Sequence, residues 1–464
     1  MTQDDEKKLL YRRITQRSPS VVLARMKVHG FWPKDEPLPQ DPAGEAAERA
    51  AVEKEIAEIQ KRWAEVKDPG KALHAERIRR WEASKKRRAE RKAERLRAED
   101  ERRAQWAVER HGRLVHLGEG VSGALSREDA LGDLDRLRSL DLPVLRTGAE
   151  VASAMGITLS RLRWLTFHRR GATLVHYHRY DIPKKTGGRR HISAPKPALD
   201  GAQRYILENI LHKIPSEPAA HGFLPGRSIV TNATEHVASA VVVNLDVKDF
   251  FPSFTFRRVK GLFQKRLGYG EAVATVLALL CTEPPRVPAR FEGRRLWIAL
   301  GERSLPQGAC TSPAITNLLC RRLDRRLSGL ASAMGFAYTR YADDLTFSGD
   351  DGAAVGKLLA IVRGVLRQEG LAENGEKTRI MRHGRRQEVT GVVVNEKLGV
   401  TREERRRLRA ILHNCAKNGL ARENRGAHPR FADHLKGKVS FVTMVDPERG
   451  KPLVEALDRA LAAG

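Results

Sequence analysis

The spacing of apolar and polar positions divides the chain into zones. Residues 1–42 are mixed and end in the Pro-rich stretch "WPKDEPLPQDP", which reads as a linker. From Ala43 to about His111 the residues are largely Ala, Glu, Lys and Arg with almost no β-branched side chains, a composition that favours helix. "DPGK", Asp68 to Lys71, divides that run into two helices, and the second carries too few apolar residues to face a core. The expected charged helical extension covers 43–141. From Leu142 the pattern changes to mixed strands and helices, and the fold class expected there is α+β.

Within that region "TGAEVASAMGITLSRLRWLTFHR" reads as a helix, a turn and a second helix, a packing unit with Glu150 near the first start. "LVHYHRYDIPKKTGGRRHISAP" reads as two strands joined by a basic Gly-Gly turn, and His176 and His178 in it are taken as strand residues. "AVVVNLDVKDFFPSF" opens with a buried strand. "FAYTRYADDLTFS" reads as two short strands with acids at the turn, and "QEVTGVVVNEKLGV" as another hairpin. Helices such as "SPAITNLLCRRLDRRLSGLASAMG" and "AAVGKLLAIVRGVLRQEG" lie between them. The tail from Thr401 reads as a basic helix, a Gly-rich loop and further helix.

Charge narrows the partner. Lys and Arg number 85 against 57 Asp and Glu, a net charge of +28 over 464 residues. That excess points to a polyanion, most simply a nucleic acid. No apolar run reaches the roughly 18 residues of a membrane span and no signal peptide is legible, so a cytoplasmic protein without membrane contact is expected. The segment "RIRRWEASKKRRAERKAERLRAEDERR" then has two readings: a solvated helix laced with i,i+4 ion pairs, or a basic arm lying on RNA with Trp63, Trp81 and Trp106 as anchors. Cys281, Cys310, Cys320 and Cys415 form no CxxC pair and have no histidines at zinc spacing, so free thiols are expected. "GEGVSG", Gly118 to Gly123, matches GxGxxG outside any alternating strand–helix pattern and is read as a loop, and no GxxxxGK[ST] phosphate loop is present.

The candidate chemistry is carboxylate. Asp246 sits just past an apolar strand, and Asp343 and Asp344 sit side by side at a predicted turn. Clustered acids raise one another's pKa and are unstable alone. Divalent cations resolve the repulsion: Mg²⁺ takes hard oxygen ligands, and a pair of such ions about 3.5–4 Å apart activates a hydroxyl and steadies a leaving oxygen in phosphoryl transfer.

The ordered motifs "NLDVKDFFPSF", "LPQGACTSPAITNLLC", "YADDLTFSG" and "GLAENGEKTRI" resemble those of reverse transcriptases over most of residues 142–464. "NATEH", with Asn232 and His236, and "VTG", Val389, Thr390 and Gly391, resemble hallmarks of bacterial retron reverse transcriptases, and the long charged N-terminal extension resembles the myxobacterial branch. The resemblance implies a right-hand polymerase with fingers and palm over 142–400 and a thumb over 401–464. It implies that Asp246, Asp343 and Asp344 hold two Mg²⁺ with the Val247 carbonyl, and that Asp249 is a structural acid instead. It implies Lys184 or Lys185, with Arg190, on the incoming triphosphate; Phe251 as steric gate against a 2′-OH, a role Phe250 or Phe254 could share; and Gln307 and Gly308 at the nucleotide. Lys377 is implied as general acid toward pyrophosphate, and Asn232, His236 and Val389 to Gly391 as RNA contacts.

As a retron enzyme the protein would copy part of its own structured noncoding RNA into DNA from deoxynucleoside triphosphates. It would prime from a guanosine 2′-OH to leave a branched RNA–DNA molecule, and serve anti-phage defence with an effector partner. Two alternatives share the motifs in whole or part: a group II intron-like or other bacterial enzyme priming from a 3′-OH, and a catalytically idle RNA-binding protein on a polymerase scaffold.

Overall fold

The computed structural model describes residues 19–36, 43–64, 69–112, 114, 116–123, 125, 132–184 and 187–462. Two compact units emerge, Met1–Gly112 and Arg113–Gly464. The expected extension to residue 141 therefore stops short. Leu114, Leu117, Val121, Leu125 and Leu137 belong to the main core of the second unit.

The first unit holds the helices Pro19–Val28, Ala43–Ala64 and Pro69–Gly112. The long helix begins at Pro69, where a missing N–H and a fixed φ suit the first helical turn. Its described side chains are almost all exposed, as are Trp63 and Trp81. The side chain of Trp106 lies outside the described residues.

In the second unit, Thr147 and Thr158 each accept a backbone N–H at the start of the short helices Gly148–Ala154 and Leu159–Thr166. Among the described residues eleven short strands follow: β1 (Gly171–Ala172), β2 (Tyr177–Pro183), β3 (Arg189–Pro195), β4 (Val241–Asp246), β5 (Arg286–Phe291), β6 (Arg294–Ala299), β7 (Phe336–Tyr341), β8 (Asp344–Gly349), β9 (Arg379–Arg382), β10 (Glu388–Val389) and β11 (Val392–Val393). β2 and β3 form a hairpin that closes over Gly187 and Gly188, both at positive φ where only a residue without Cβ is unstrained. The central sheet has the antiparallel order β7-β8-β4-β9.

β4 reads as a continuous apolar run because both faces of the sheet are covered. Val241, Val243 and Leu245 enter the main core, whereas Val242 joins a second core with Val389, Val392, Leu412 and Val439. That second core is built by the C-terminal helices Arg402–Asn418, Phe431–Val445 and Pro447–Ala462 with the β10–β11 hairpin. The chain is thus α+β, with a four-stranded palm, a fingers hairpin and a helical thumb. Among the described residues no helix is long and apolar enough to cross a membrane. The four cysteines are free thiols. Gly118 of the GxGxxG match lies against the chain at His168, whose carbonyl oxygen would sit 2.1 Å from an added Cβ, so this glycine serves packing.

Candidate active site

β4 delivers Asp246 at its last position, and β8 delivers Asp344 at its first; the two are register partners. Asp343 lies in the two-residue turn between β7 and β8, where Ala342 takes φ +58°. The Val247 N–H donates to the Asp343 carbonyl at 3.0 Å, closing this end of the sheet. The segment 372–377 straps the same end: Lys248 N–H donates to Ala372, and Asn374 N–H to the Asp246 carbonyl.

The side chain of Asp246 is held by Lys377 Nζ at 2.8 Å and Asn374 Nδ2 at 3.1 Å. Burial raises the pKa of Asp343, and Asp246 adds to the rise while Lys377 and Arg190 oppose it. Asp344 is pushed up to about 7, first by burial and then by Asp343 and Asp246. Lys377 is held above its ordinary range, chiefly by its hydrogen bond to Asp246.

In this arrangement Asp246 is turned to Lys377 and Asn374, and among the described residues no three His, Cys, Asp or Glu side chains are placed to hold a metal ion. The donor chemistry nevertheless fits a hard divalent cation. Three carboxylates share one sheet end, and Asp344 is raised first by burial and then by the other two acids, so a hard cation there would meet oxygen ligands already crowded together.

The other sequence candidates fall at three places. Arg190 lies on β3, and its charge opposes the rise in the pKa of Asp343. Lys184 is exposed at the hairpin end, its N–H on the Gly188 carbonyl, and Lys185 lies outside the described residues. Gln307 and Gly308 lie against β3: Ser193 N–H donates to the Gln307 carbonyl at 2.8 Å. Gly308 has φ +118°, and a Cβ there would meet Ile192 Cγ2 at 2.8 Å, so glycine is required. Phe251 is half-buried, whereas Phe250 and Phe254 are core residues stacked edge-on at 5.2 Å. Asp249 is exposed, at φ +45°, with its carbonyl accepting from Ser253.

The expected RNA contacts need correction. His236 and Asn232 are fully buried. The helix that carries Asn232 ends at Thr234, and His236 turns inward, its Nδ1 2.7 Å from Ser348 Oγ and its Nε2 2.7 Å from Thr339 Oγ1. Burial lowers its pKa to about 3, so it is neutral. Asn232 Nδ2 donates to Thr390 Oγ1 at 3.5 Å, and Val389 is buried beside it in the second core. The two hallmark motifs thus touch each other, and neither Asn232, His236 nor Val389 has a surface to offer RNA; Thr390 is half-buried and Gly391 exposed.

Sequence reasoning missed the support beneath the turn. Arg340 and Asp324 are fully buried and paired, with Arg340 Nε at 2.8 Å and Nη2 at 2.7 Å from the two carboxylate oxygens. Tyr338 OH donates to the same carboxylate at 3.0 Å. Arg340 Nη1 reaches Asn317 Oδ1 at 2.9 Å and the carbonyl of Ala342 at 3.3 Å, one residue before Asp343. Burial works against the guanidinium charge, yet Asp324 holds its pKa above the ordinary range. Asn374 was also missed, although it stands within the quoted "GLAENGEKTRI".

Comparison with known proteins places this geometry. The family described as reverse transcriptase (RNA-dependent DNA polymerase) matches residues 182–401. Retron Mx162 reverse transcriptase of Myxococcus xanthus is 45% identical over 365 residues, covering 74% of this chain and 73% of that protein. Retron Mx65 reverse transcriptase of the same organism is 47% identical over 325 residues, 70% of this chain and 74% of that one. Retron Ec86 reverse transcriptase of Escherichia coli is 33% identical over 329 residues, 70% of this chain and 92% of that one.

Proposed function

The chain belongs to the retron reverse transcriptases, and on that premise we propose how its residues copy RNA into DNA and from which primer. The enzyme is an RNA-directed DNA polymerase. Asp246, Asp343, Asp344 and the Val247 carbonyl would hold two Mg²⁺. When bound, these ions supply an activated priming hydroxyl and stabilise charge on the leaving oxygen.

The protein's own groups do the rest. The hydroxyl gives up its proton to solvent, its oxygen bonds to the α-phosphorus, the bond from that phosphorus to the α–β bridging oxygen breaks, and pyrophosphate leaves. Lys377, kept protonated beside Asp246, gives that leaving group a proton. Lys184 or Lys185, with Arg190, grips the triphosphate. Phe251 stands beneath the sugar and rejects a 2′-OH, while Gln307 and Gly308 bring backbone and amide to the nucleotide. The observation that carries this reading is the convergence of Asp246, Asp343 and Asp344 at one end of the central sheet, with Lys377 Nζ 2.8 Å from Asp246, since phosphoryl transfer needs carboxylate oxygens and a proton donor at one place.

The retron relatives support a finer reading. The template is part of a cognate structured noncoding RNA, and synthesis starts at a guanosine 2′-OH to leave a branched RNA–DNA molecule. The setting is cytoplasmic anti-phage defence beside an effector protein. The test is extension on a structured RNA carrying a single candidate guanosine. A DNA product that stays joined to RNA after ribonuclease and heat, and is released by a 2′–5′ debranching enzyme, supports the reading. A product with a free 5′ DNA or RNA primer end refutes branching, and no extension with Mg²⁺ refutes the polymerase assignment for these residues.

A further inference from the structure

The helix Pro69–Gly112 is polar all round and basic on most faces, yet one narrow wedge holds arginine and no acid. An α-helix advances about 100° per residue. Between Arg77 and Arg102 the positions that fall in one wedge of roughly 80° are Arg77, Arg80, Arg87, Arg91, Arg95 and Arg102, with Ser84 and Ala98 completing the seam. No Asp or Glu falls in that wedge over this span; Glu94, Glu99 and Glu101 flank it within about 40° of its edges, and Glu82, Glu90 and Asp100 project from other faces.

The spacing is that of a packing seam, with steps of three and four, but arginine stands where a partner helix would demand apolar side chains. All six arginines are exposed. Among the described residues the only salt bridge they make is Arg80 to Glu76, at 3.3 Å with both side chains exposed. Arg87–Arg91 and Arg91–Arg95 are like-charged i,i+4 neighbours, which repel. A stripe of cations about 38 Å long on a helix too rich in charge to pack on protein calls for a polyanion that can run alongside it.

We propose that this arginine stripe is a binding site for the phosphate backbone of double-stranded RNA, contacted without sequence readout. A duplex holds its phosphates at fixed spacing along a rod, as the stripe holds its guanidiniums, whereas a single strand would have to be straightened first. A lipid surface fits less well. A helix lying on a membrane needs an apolar face, and no such stripe runs along this helix between Arg77 and Arg102. The inference rests on the reading of RNA as the enzyme's template, because that makes structured RNA the polyanion at hand.

The test compares two full-length triple variants of equal charge. Arg87→Gln, Arg91→Gln and Arg95→Gln remove the stripe's centre. Arg79→Gln, Lys86→Gln and Arg97→Gln remove three cations from the opposite side. Glutamine keeps helix propensity, and circular dichroism checks it. The probes are a 20-base-pair RNA duplex, one of its single strands and phosphatidylserine vesicles, titrated from 50 to 200 mM salt. The stripe variant should bind duplex at least about tenfold more weakly at low salt, with a log–log salt slope shallower by about 2 to 3, while the control stays within about twofold. Equal loss in both variants means net charge alone acts, and overturns the proposal. So does unchanged duplex binding by the stripe variant, a loss confined to the single strand, or a loss confined to vesicles. The stripe variant's single-turnover rate of extension on a preannealed generic primer, at saturating primer–template, should match the parent, because the stripe binds duplex and takes no part in the chemistry. Failure of the parent in that assay would refute the polymerase reading instead, independently of the duplex titration.

Discussion

Removing Asp324 should both destabilise the enzyme and disable its acids. Asp324→Ala leaves the Arg340 guanidinium at zero exposure without its carboxylate, deleting contacts at 2.8 and 2.7 Å and stranding Tyr338 OH. Breaking a buried pair from one side costs about 3–5 kcal/mol. For a unit of this size each kcal/mol shifts Tm by roughly 2 °C, so a fall of about 6–10 °C is expected. Replacing both partners by apolar residues of similar bulk, Asp324→Leu with Arg340→Met, should recover most of that loss, because no charge is then left buried. Polymerase activity should not recover with it. The double variant still lacks the Nη1 donor on the Ala342 carbonyl, at 3.3 Å, that steadies a left-handed residue beside Asp343. The measurements are Tm by calorimetry and single-turnover primer extension on one RNA template. A double variant whose destabilisation equals the sum of the singles, or one that regains full kcat, would refute the argument that this pair positions the turn.

Other outcomes follow from the same geometry. Phe251→Ala should raise ribonucleotide incorporation relative to deoxynucleotide on one template; unchanged discrimination would remove Phe251 as the gate. His236→Ala deletes two buried hydrogen bonds and leaves Thr339 and Ser348 unpaired, a loss of about 2–4 kcal/mol, so extension on structured and generic RNA should fall together; a selective loss on structured RNA would contradict the buried placement. Without divalent metal, Asp344 and Asp343 have raised pKa values, so the native state binds more protons between about pH 4 and 7 and Tm should fall as pH rises through that window. Asp344→Asn should flatten the fall, and an unchanged slope would show that the acids are not coupled.

Much of the palm was legible because its strands announce themselves. "AVVVNLD" is apolar on both parities, as a strand covered on both faces must be, and acids at its end and at a hairpin turn stand out against it. What escaped depends on where elements stop and what packs opposite. Asn232 and His236 look like one helical face at i,i+4, but the helix ends at Thr234 and the histidine swings between β7 and β8. Strand alternation places Arg340 with Phe336 and Tyr338, toward the core, which read alone is a contradiction. The partner that resolves it, Asp324, lies between Leu323 and Leu327 on a helix otherwise crowded with exposed or half-buried arginine, and only the packing reveals the match. The end of the extension was misplaced for a similar cause. Leu114, Leu117 and Leu125 are too sparse to show a period, yet each is buried.

Parity along the central sheet explains why motifs with no direct part in chemistry belong to the same device. Asp246 shares its face of β4 with Val242 and Asn244, and cross-strand partners share a face, so Asp344, Thr346 and Ser348 of β8 and Thr339 of β7 lie on that side too. This is the face of the second core: Val242 enters it, Asn244 Nδ2 donates to the Glu388 carbonyl at 2.8 Å, and Asn232 meets Thr390 there. His236 clamps Ser348 to Thr339 at the far end of the same face whose near end carries the acids. A one-residue slip of β4 would send Asp246 to the wrong side and expose Val243 to the thumb core, so register is pinned from both cores at once. The opposite face has its own anchor in Arg340 and Asp324, which reaches the turn from below through Ala342. The carboxylates are therefore held between two independently packed layers. Perturbing either layer should shift the acids before it unfolds the chain, which is why activity is expected to fail at smaller structural losses than Tm reports.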